Sequence, residues 1–166
     1  MVEQRRGVRA GARRITESAR SASAVALTAP PQIATLAGVT EVVCGVIGDV
    51  DGRVLACRRP DGGHLAGFWE FPGGKVEEGE TPAAALVREL REELGIEVAV
   101  EKSLTPVTWD YGRGPFRLLP FHCRILHGDP APLEHSEIRW CRPAEANHLA
   151  WAAADEPVLA ELRCSR

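Results

Sequence analysis

Residues 74–96 read G-K-V-E-E-G-E-T-P-A-A-A-L-V-R-E-L-R-E-E-L-G-I, and no other stretch restricts the fold as much. Thr81 is a good N-cap, Pro82 suits the first helical position and Gly95 suits a left-handed stop. A run of helix formers lies between them, so the spacing predicts a helix over 82–94. At about 100° per residue, Glu89, Glu92 and Glu93 share one arc, and Leu86, Val87, Leu90 and Leu94 share the next. The leucine arc packs into a core and the glutamate arc stands at its edge. Carboxylates at i, i+3 and i+4 repel one another by a few tenths of a kcal/mol per pair, roughly, which Arg88 and Arg91 relieve in part. Such a face is most often a solvated, salt-bridged one. The upstream residues point elsewhere. The turn at Gly73 and Gly74 and the acidic loop of Glu77, Glu78 and Glu80 return the chain towards the same helix. Convergent hard oxygen donors are what Mg²⁺ or Mn²⁺ requires.

Gly74, five residues, Glu80, seven residues, then Arg88-Glu89-Leu90-x-Glu92-Glu93-x-Gly95-Ile96 resembles the Nudix box, G-x5-E-x7-R-E-U-x-E-E-x-G-U, at every fixed position. That spacing is far more selective than a lone glycine-rich motif. The resemblance spans about 41–163. It implies hydrolysis of a nucleoside diphosphate linked to another group, with Mg²⁺ (or Mn²⁺) held on the box helix. Glu89, Glu92, Glu93 and the Gly73 carbonyl are the implied metal ligands, with Glu134, six residues before Trp140, as an outlying ligand or base. Arg88 is implied to orient the glutamates, and Glu80 to support the loop.

Within that family, Leu65-Ala-Gly-x-Trp-Glu-Phe-Pro-Gly-Gly-Lys75 is similar to the MutT branch, which sanitises nucleoside triphosphates, and to its CTP pyrophosphohydrolase relatives. Arg59, Phe71 and Tyr111 fall at base-pocket positions of MutT-like proteins. Asp155-Glu-Pro-Val resembles the Asn-Glu-Pro-Val of MutT, whose amide reads the purine edge. Aspartate is a departure, because an ionised carboxylate accepts but does not donate. His135, Trp140 and Cys141-x-Pro are closer to the CTP-type relatives. The expected substrate is a nucleoside triphosphate, with 8-oxo-dGTP ahead of CTP, dCTP or 5-methyl-dCTP. Dinucleoside polyphosphates and ADP-ribose stay open. A non-catalytic nucleotide-binding module on the same scaffold is the alternative of another class; such modules usually lose box glutamates, and this chain keeps them.

Composition agrees with an enzyme of this kind. The chain has 166 residues, 45% of them hydrophobic and 26% charged, enough for one domain with a sizeable core. Residues 1–38 are rich in Arg, Ala and Ser, and are expected to be a disordered tail or a targeting extension ahead of a domain at 39–166. The net charge of −3 is unevenly shared: residues 1–40 carry six arginines against Glu3 and Glu17. An acidic domain needs cations to handle polyphosphate and is a poor binder of duplex nucleic acid. Five scattered cysteines without C-x-x-C pairing read as reduced thiols of a cytoplasmic protein. There is no apolar run long enough to cross a membrane. The resemblance implies a monomer or homodimer.

The runs 41–47 and 53–58 predict two strands joined as a hairpin across the 48–52 turn. Residues 68–71, 98–100, 107–111, 116–126 and 137–141 predict further strands, and short helices are expected from Arg142 and over 156–162. Strands interleaved with two or three helices give an α+β fold, an α/β/α sandwich with a mixed central sheet.

Overall fold

The structure, a computed structural model, describes residues 38–164; the tail or targeting extension expected over 1–38 lies outside them, save for Gly38. Strand β1 (Thr40–Ile47) lies between β4 (Gly73–Lys75) and β7 (Phe116–His127), antiparallel to the first and parallel to the second. Strands β5 (Glu97–Ser103) and β6 (Val107–Trp109) both pair antiparallel with the long β7, completing a mixed sheet of five strands. A smaller antiparallel sheet has β2 (Val54–Arg58) between β3 (Trp69–Glu70) and β8 (Glu137–Cys141).

The expected β1–β2 hairpin is corrected by this topology. Both edges of β1 are already occupied, so β2 leaves for the second sheet and meets β1 only through a bridge between Gly48 and Val54. The turn itself is firmly built. The Asp49 carboxylate accepts from the backbone N–H groups of Asp51 and Arg53 at 2.9 and 2.8 Å and from Arg53 Nε at 2.6 Å. A second difference concerns Gly73 and Gly74, which read as a turn but form β4, because β1 supplies the partner strand.

Helix α1 (Pro82–Leu94) forms where the sequence places it. Thr81 accepts from the Ala84 N–H at 3.2 Å, and Gly95, at φ 70°, donates its N–H to the Arg91 carbonyl at 3.0 Å. The short helix expected from Arg142 is a single 3₁₀ turn at Ala146–His148, and α2 spans Glu156–Cys164.

Strand alternation sorts the core into two layers. Val43 and Ile47 of β1, Leu55 of β2 and Leu119 of β7 pack with Leu86, Leu90 and Leu94 of α1. Cys44 and Val46 face the other way, with Trp69, Trp151, Val158 and Leu159. Helices on opposite faces of a mixed sheet make the α+β sandwich. Four of the cysteines are buried free thiols and Cys164 is exposed, so none forms a disulfide. Among the described residues no helix is long and apolar enough to cross a membrane.

Candidate active site

The leucines of α1 fix which way its glutamates point. With Leu86, Leu90 and Leu94 fully buried, the glutamate arc turns towards β4, the edge strand beside β1. The two glycines of β4 are each in close contact, Gly73 with the β1 backbone and Gly74 with the helix. Gly73 has φ 151°, and a Cβ there would overlap the Val43 carbonyl oxygen. At Gly74 a Cβ would overlap the Glu89 carboxylate. The second clash is with the end of a flexible side chain, so Gly74→Ala should fold normally and displace Glu89. The expected result is an unchanged Tm with kcat lowered about tenfold; unaltered kcat would show that the position of Glu89 is unimportant.

Arg88 holds the acidic face together. Its Nη1 donates to Glu89 Oε1 at 2.9 Å and to Glu92 Oε2 at 3.4 Å, and its Nη2 to Glu80 Oε1 at 2.7 Å and the Lys75 carbonyl at 3.2 Å. Glu80 in turn accepts from the Glu77 N–H at 2.8 Å, which closes the acidic loop onto the helix. Glu93 differs from its neighbours. Its Oε2 accepts from the Gly73 N–H at 2.9 Å, and burial pushes its carboxyl up to about 7, against the lowering pull of His135 and of the Gly73 hydrogen bond.

A cavity of about 580 Å³ opens beside this face. Gly73 and Gly74 line it, and so do all four residues expected at a base, Arg59, Phe71, Tyr111 and Asp155. Their chemistry departs from the sequence reading at three of them. Arg59 is not a free donor fork. Its Nη1 donates to both oxygens of Glu70 at 3.0 and 2.7 Å, and its Nε to the His64 carbonyl at 2.9 Å. Phe71 is 3% exposed, with its ring against Trp151 at 4.9 Å, so it belongs chiefly to the core. Asp155 was expected as an ionised acceptor. It is buried, its Oδ1 accepts from the Phe71 N–H at 3.0 Å, and burial pushes its carboxyl up to about 8, with that hydrogen bond pulling the other way. Near neutral pH it is therefore largely protonated and carries an O–H donor after all.

Tyr111 forms a wall. Its hydroxyl accepts from the Ala154 N–H at 2.9 Å, and its ring stacks on Phe116 at 5.9 Å and meets the His64 edge at 5.2 Å. Trp69 is buried in the core, and Arg139 lies over its ring at 5.0 Å.

Glu134 is exposed, and among the described residues no three His, Cys, Asp or Glu side chains converge closely enough to hold a metal ion. The donor set nonetheless fits a hard divalent cation. Three carboxylates stand on one helix arc, and Gly74 leaves room for the Glu89 carboxylate where a side chain would fill it. At present Arg88 and the Gly73 N–H occupy those oxygens.

Residues 39–162 match the NUDIX domain family. The CTP pyrophosphohydrolase of Escherichia coli is 42% identical over 119 residues, covering 72% of this chain and 87% of that protein. The 8-oxo-dGTP diphosphatase of the same organism is 31% identical over 123 residues, covering 74% and 95%. Among solved structures, the E. coli ORF135 protein superposes with a TM-score of 0.68 at 38% identity, covering 80% of this chain and 98% of that one. MutT from Aliivibrio salmonicida and Vibrio cholerae gives 0.64 at 28% identity, covering 76% and 98%. With the box glutamates facing a glycine strand and a cavity beside them, this chain belongs to the Nudix family of hydrolases.

Proposed function

We propose that the protein hydrolyses a nucleoside triphosphate to the monophosphate and pyrophosphate, in the presence of Mg²⁺ with Mn²⁺ as a substitute. The observation that carries this reading is the single cavity that runs from Asp155 and Tyr111 to Gly73 and Gly74. A base and its phosphates fit one continuous space, with the acidic helix arc at the phosphate end. Glu89, Glu92, Glu93 and the Gly73 carbonyl would hold the cation, and Glu134 is the outlying candidate. When bound, the cation neutralises phosphate charge and lowers the pKa of water.

The chain's own residues do the rest. Arg88 keeps Glu89 and Glu92 on one side of the helix and ties Glu80 to the β4 end, so the donors are positioned before substrate arrives. Gly73 holds Glu93 through its N–H, and a cation that competes for that oxygen favours the ionised form. Tyr111 offers a ring face, and neutral Asp155 offers a donor at the depth of the pocket.

An oxidised guanine nucleotide such as 8-oxo-dGTP is the favoured substrate, because it presents both a carbonyl for the Asp155 O–H and amine and N–H groups for acceptors. This places the enzyme in sanitation of the cytoplasmic nucleotide pool, acting on free nucleotides and not on duplex nucleic acid, as a monomer or homodimer. CTP or dCTP is the second reading, supported by the 42% identity to the E. coli CTP pyrophosphohydrolase. A panel of 8-oxo-dGTP, dGTP, CTP, dCTP and 5-methyl-dCTP ranked by kcat/KM decides between them. The expected order puts 8-oxo-dGTP first; a lead for CTP or dCTP would overturn the sanitising role and leave the pyrimidine reading.

A further inference from the structure

The segment 131–136 links the two halves of the site. At one end the Ala131 and Leu133 N–H groups donate to the Leu94 and Glu93 carbonyls at 3.0 and 2.9 Å, which satisfies two of the last carbonyls of α1. At the other, the Ser136 N–H donates to the Arg58 carbonyl at 2.9 Å, and its hydroxyl donates to the Arg58 and Arg59 carbonyls at 3.1 and 3.2 Å. Between these anchors sits His135, whose side chain is only 4% exposed. Its Nε2 is 3.2 Å from Glu70 Oε1, while its buried Nδ1 has no hydrogen-bond partner. A buried polar atom without a partner costs stability, and an apolar side chain would avoid that cost. Packing alone therefore gives no reason for an imidazole here, and its contact with Glu70 does.

Glu70 is the residue this contact acts on. It lines the cavity between Arg59 and Phe71, and its side chain is 17% exposed. Arg59 Nη1 reaches both of its oxygens, and His135 reaches Oε1 from the buried side. A carboxylate has about four acceptor positions, and three are taken. The one that remains belongs to a group lining the cavity, and it is an acceptor with its orientation fixed from two directions.

We propose that His135 is a positioning residue for base selection: it fixes the Glu70 carboxylate, and with it Arg59, so that Glu70 accepts from the exocyclic amine of a bound nucleobase. This rests on the triphosphate reading above and adds a substrate class to it, amine-bearing bases over counterparts that lack that amine. Glu70 against an amine gains a charge-assisted hydrogen bond, whereas against a carbonyl two acceptors face each other. Removing His135 leaves Glu70 held only by Arg59, whose side chain is 35% exposed, so the acceptor loses its fixed direction.

The test is the ratio of kcat/KM for CTP over UTP and for dGTP over dITP, each pair differing at one exocyclic amine, in five proteins: wild type, His135→Leu, His135→Gln, Glu70→Gln and the double variant His135→Leu with Glu70→Gln. The wild type is expected to favour the amine-bearing member by about tenfold or more. In His135→Leu that ratio falls to within about threefold of one, with the loss in KM for the amine-bearing substrate larger than any loss in kcat. Glutamine places an amide N–H near the position of Nε2, so His135→Gln recovers most of the ratio. Glu70→Gln loses it as His135→Leu does, and combining Leu with Gln adds nothing further, as for two residues acting through one contact. A wild type that hydrolyses no triphosphate would overturn the triphosphate reading and this proposal with it. A wild type that hydrolyses them with ratios near one would overturn the proposal alone. So would a His135→Leu protein slowed equally on every substrate, or a glutamine variant no better than leucine, since either would assign His135 to the fold.

Discussion

Replacing Glu93 by glutamine is expected to lower kcat by about a thousandfold while leaving the protein folded, the scale of loss seen when one preorganised charge contact to a transition state is removed. The amide keeps an oxygen for the Gly73 N–H, so the β4–α1 contact survives. It also removes a carboxylate that burial holds up at about 7. A group whose folded pKa is raised contributes stability that is complete below its unfolded value and is lost as pH rises through the folded one. For Glu93 that window runs from about 4.5 to about 7. Above it the wild type carries a buried charge that glutamine lacks, so the variant's Tm at pH 8 should equal or exceed that of the wild type. Steady-state kinetics with thermal melts at pH 6 and 8 check both halves. Turnover near wild type would remove Glu93 from the chemistry, and a large fall in Tm would make it a structural residue.

Asp155→Ala is expected to lower kcat/KM for the best substrate by about 10–100-fold, the loss of one or two hydrogen bonds at a site that reads a base edge. It also leaves the Phe71 N–H without its acceptor, at a cost of roughly 1–3 kcal/mol. Asn separates these roles from charge. An asparagine can accept from the Phe71 N–H with its oxygen and donate with its amide, which is what the protonated carboxyl does. Asp155→Asn should therefore recover most of the activity that alanine loses. Its stability has the sign of a raised carboxyl. The contribution of Asp155 is complete below about pH 4 and lost as pH rises towards about 8. Asparagine has no such loss, so its Tm advantage should widen by roughly 3 °C or more between pH 6 and pH 9. An asparagine variant as poor as alanine, with the same Tm difference at both values, would show that Asp155 works ionised.

The parts of this molecule legible in its sequence are those set by neighbours along the chain. Thr81, Pro82 and Gly95 bound α1 through contacts within four residues, and the leucine spacing alone orients the glutamates. The parts that failed depend on distant partners. Residues 48–52 do form a tight turn, but whether the strands on either side pair was settled by β4 and β7 taking both edges of β1. Gly73 and Gly74 look like a turn until β1 is beside them. Resemblance located Arg59 and Asp155 in the cavity, but neither one's working chemistry is local. Arg59 is defined by Glu70, eleven residues away, and Asp155 by its burial beneath Phe71. Glu70 gives no sequence signal of its own because it lies between Trp69 and Phe71 in a run dominated by aromatic packing, and His135 is marked only by its likeness to the CTP-type relatives, which assigns it no role. A signal for Glu70 lies in the alternation of β3, where Trp69 is buried and the next residue must face away.

The most direct test of the central claim is the product of one reaction followed by phosphorus NMR, with 8-oxo-dGTP or CTP as substrate and Mg²⁺ present, then with the cation chelated and restored. The account predicts stoichiometric monophosphate and pyrophosphate, no reaction under chelation, and recovery on adding Mg²⁺ or Mn²⁺. Release of inorganic phosphate with a nucleoside diphosphate, or turnover that continues under chelation, would contradict it.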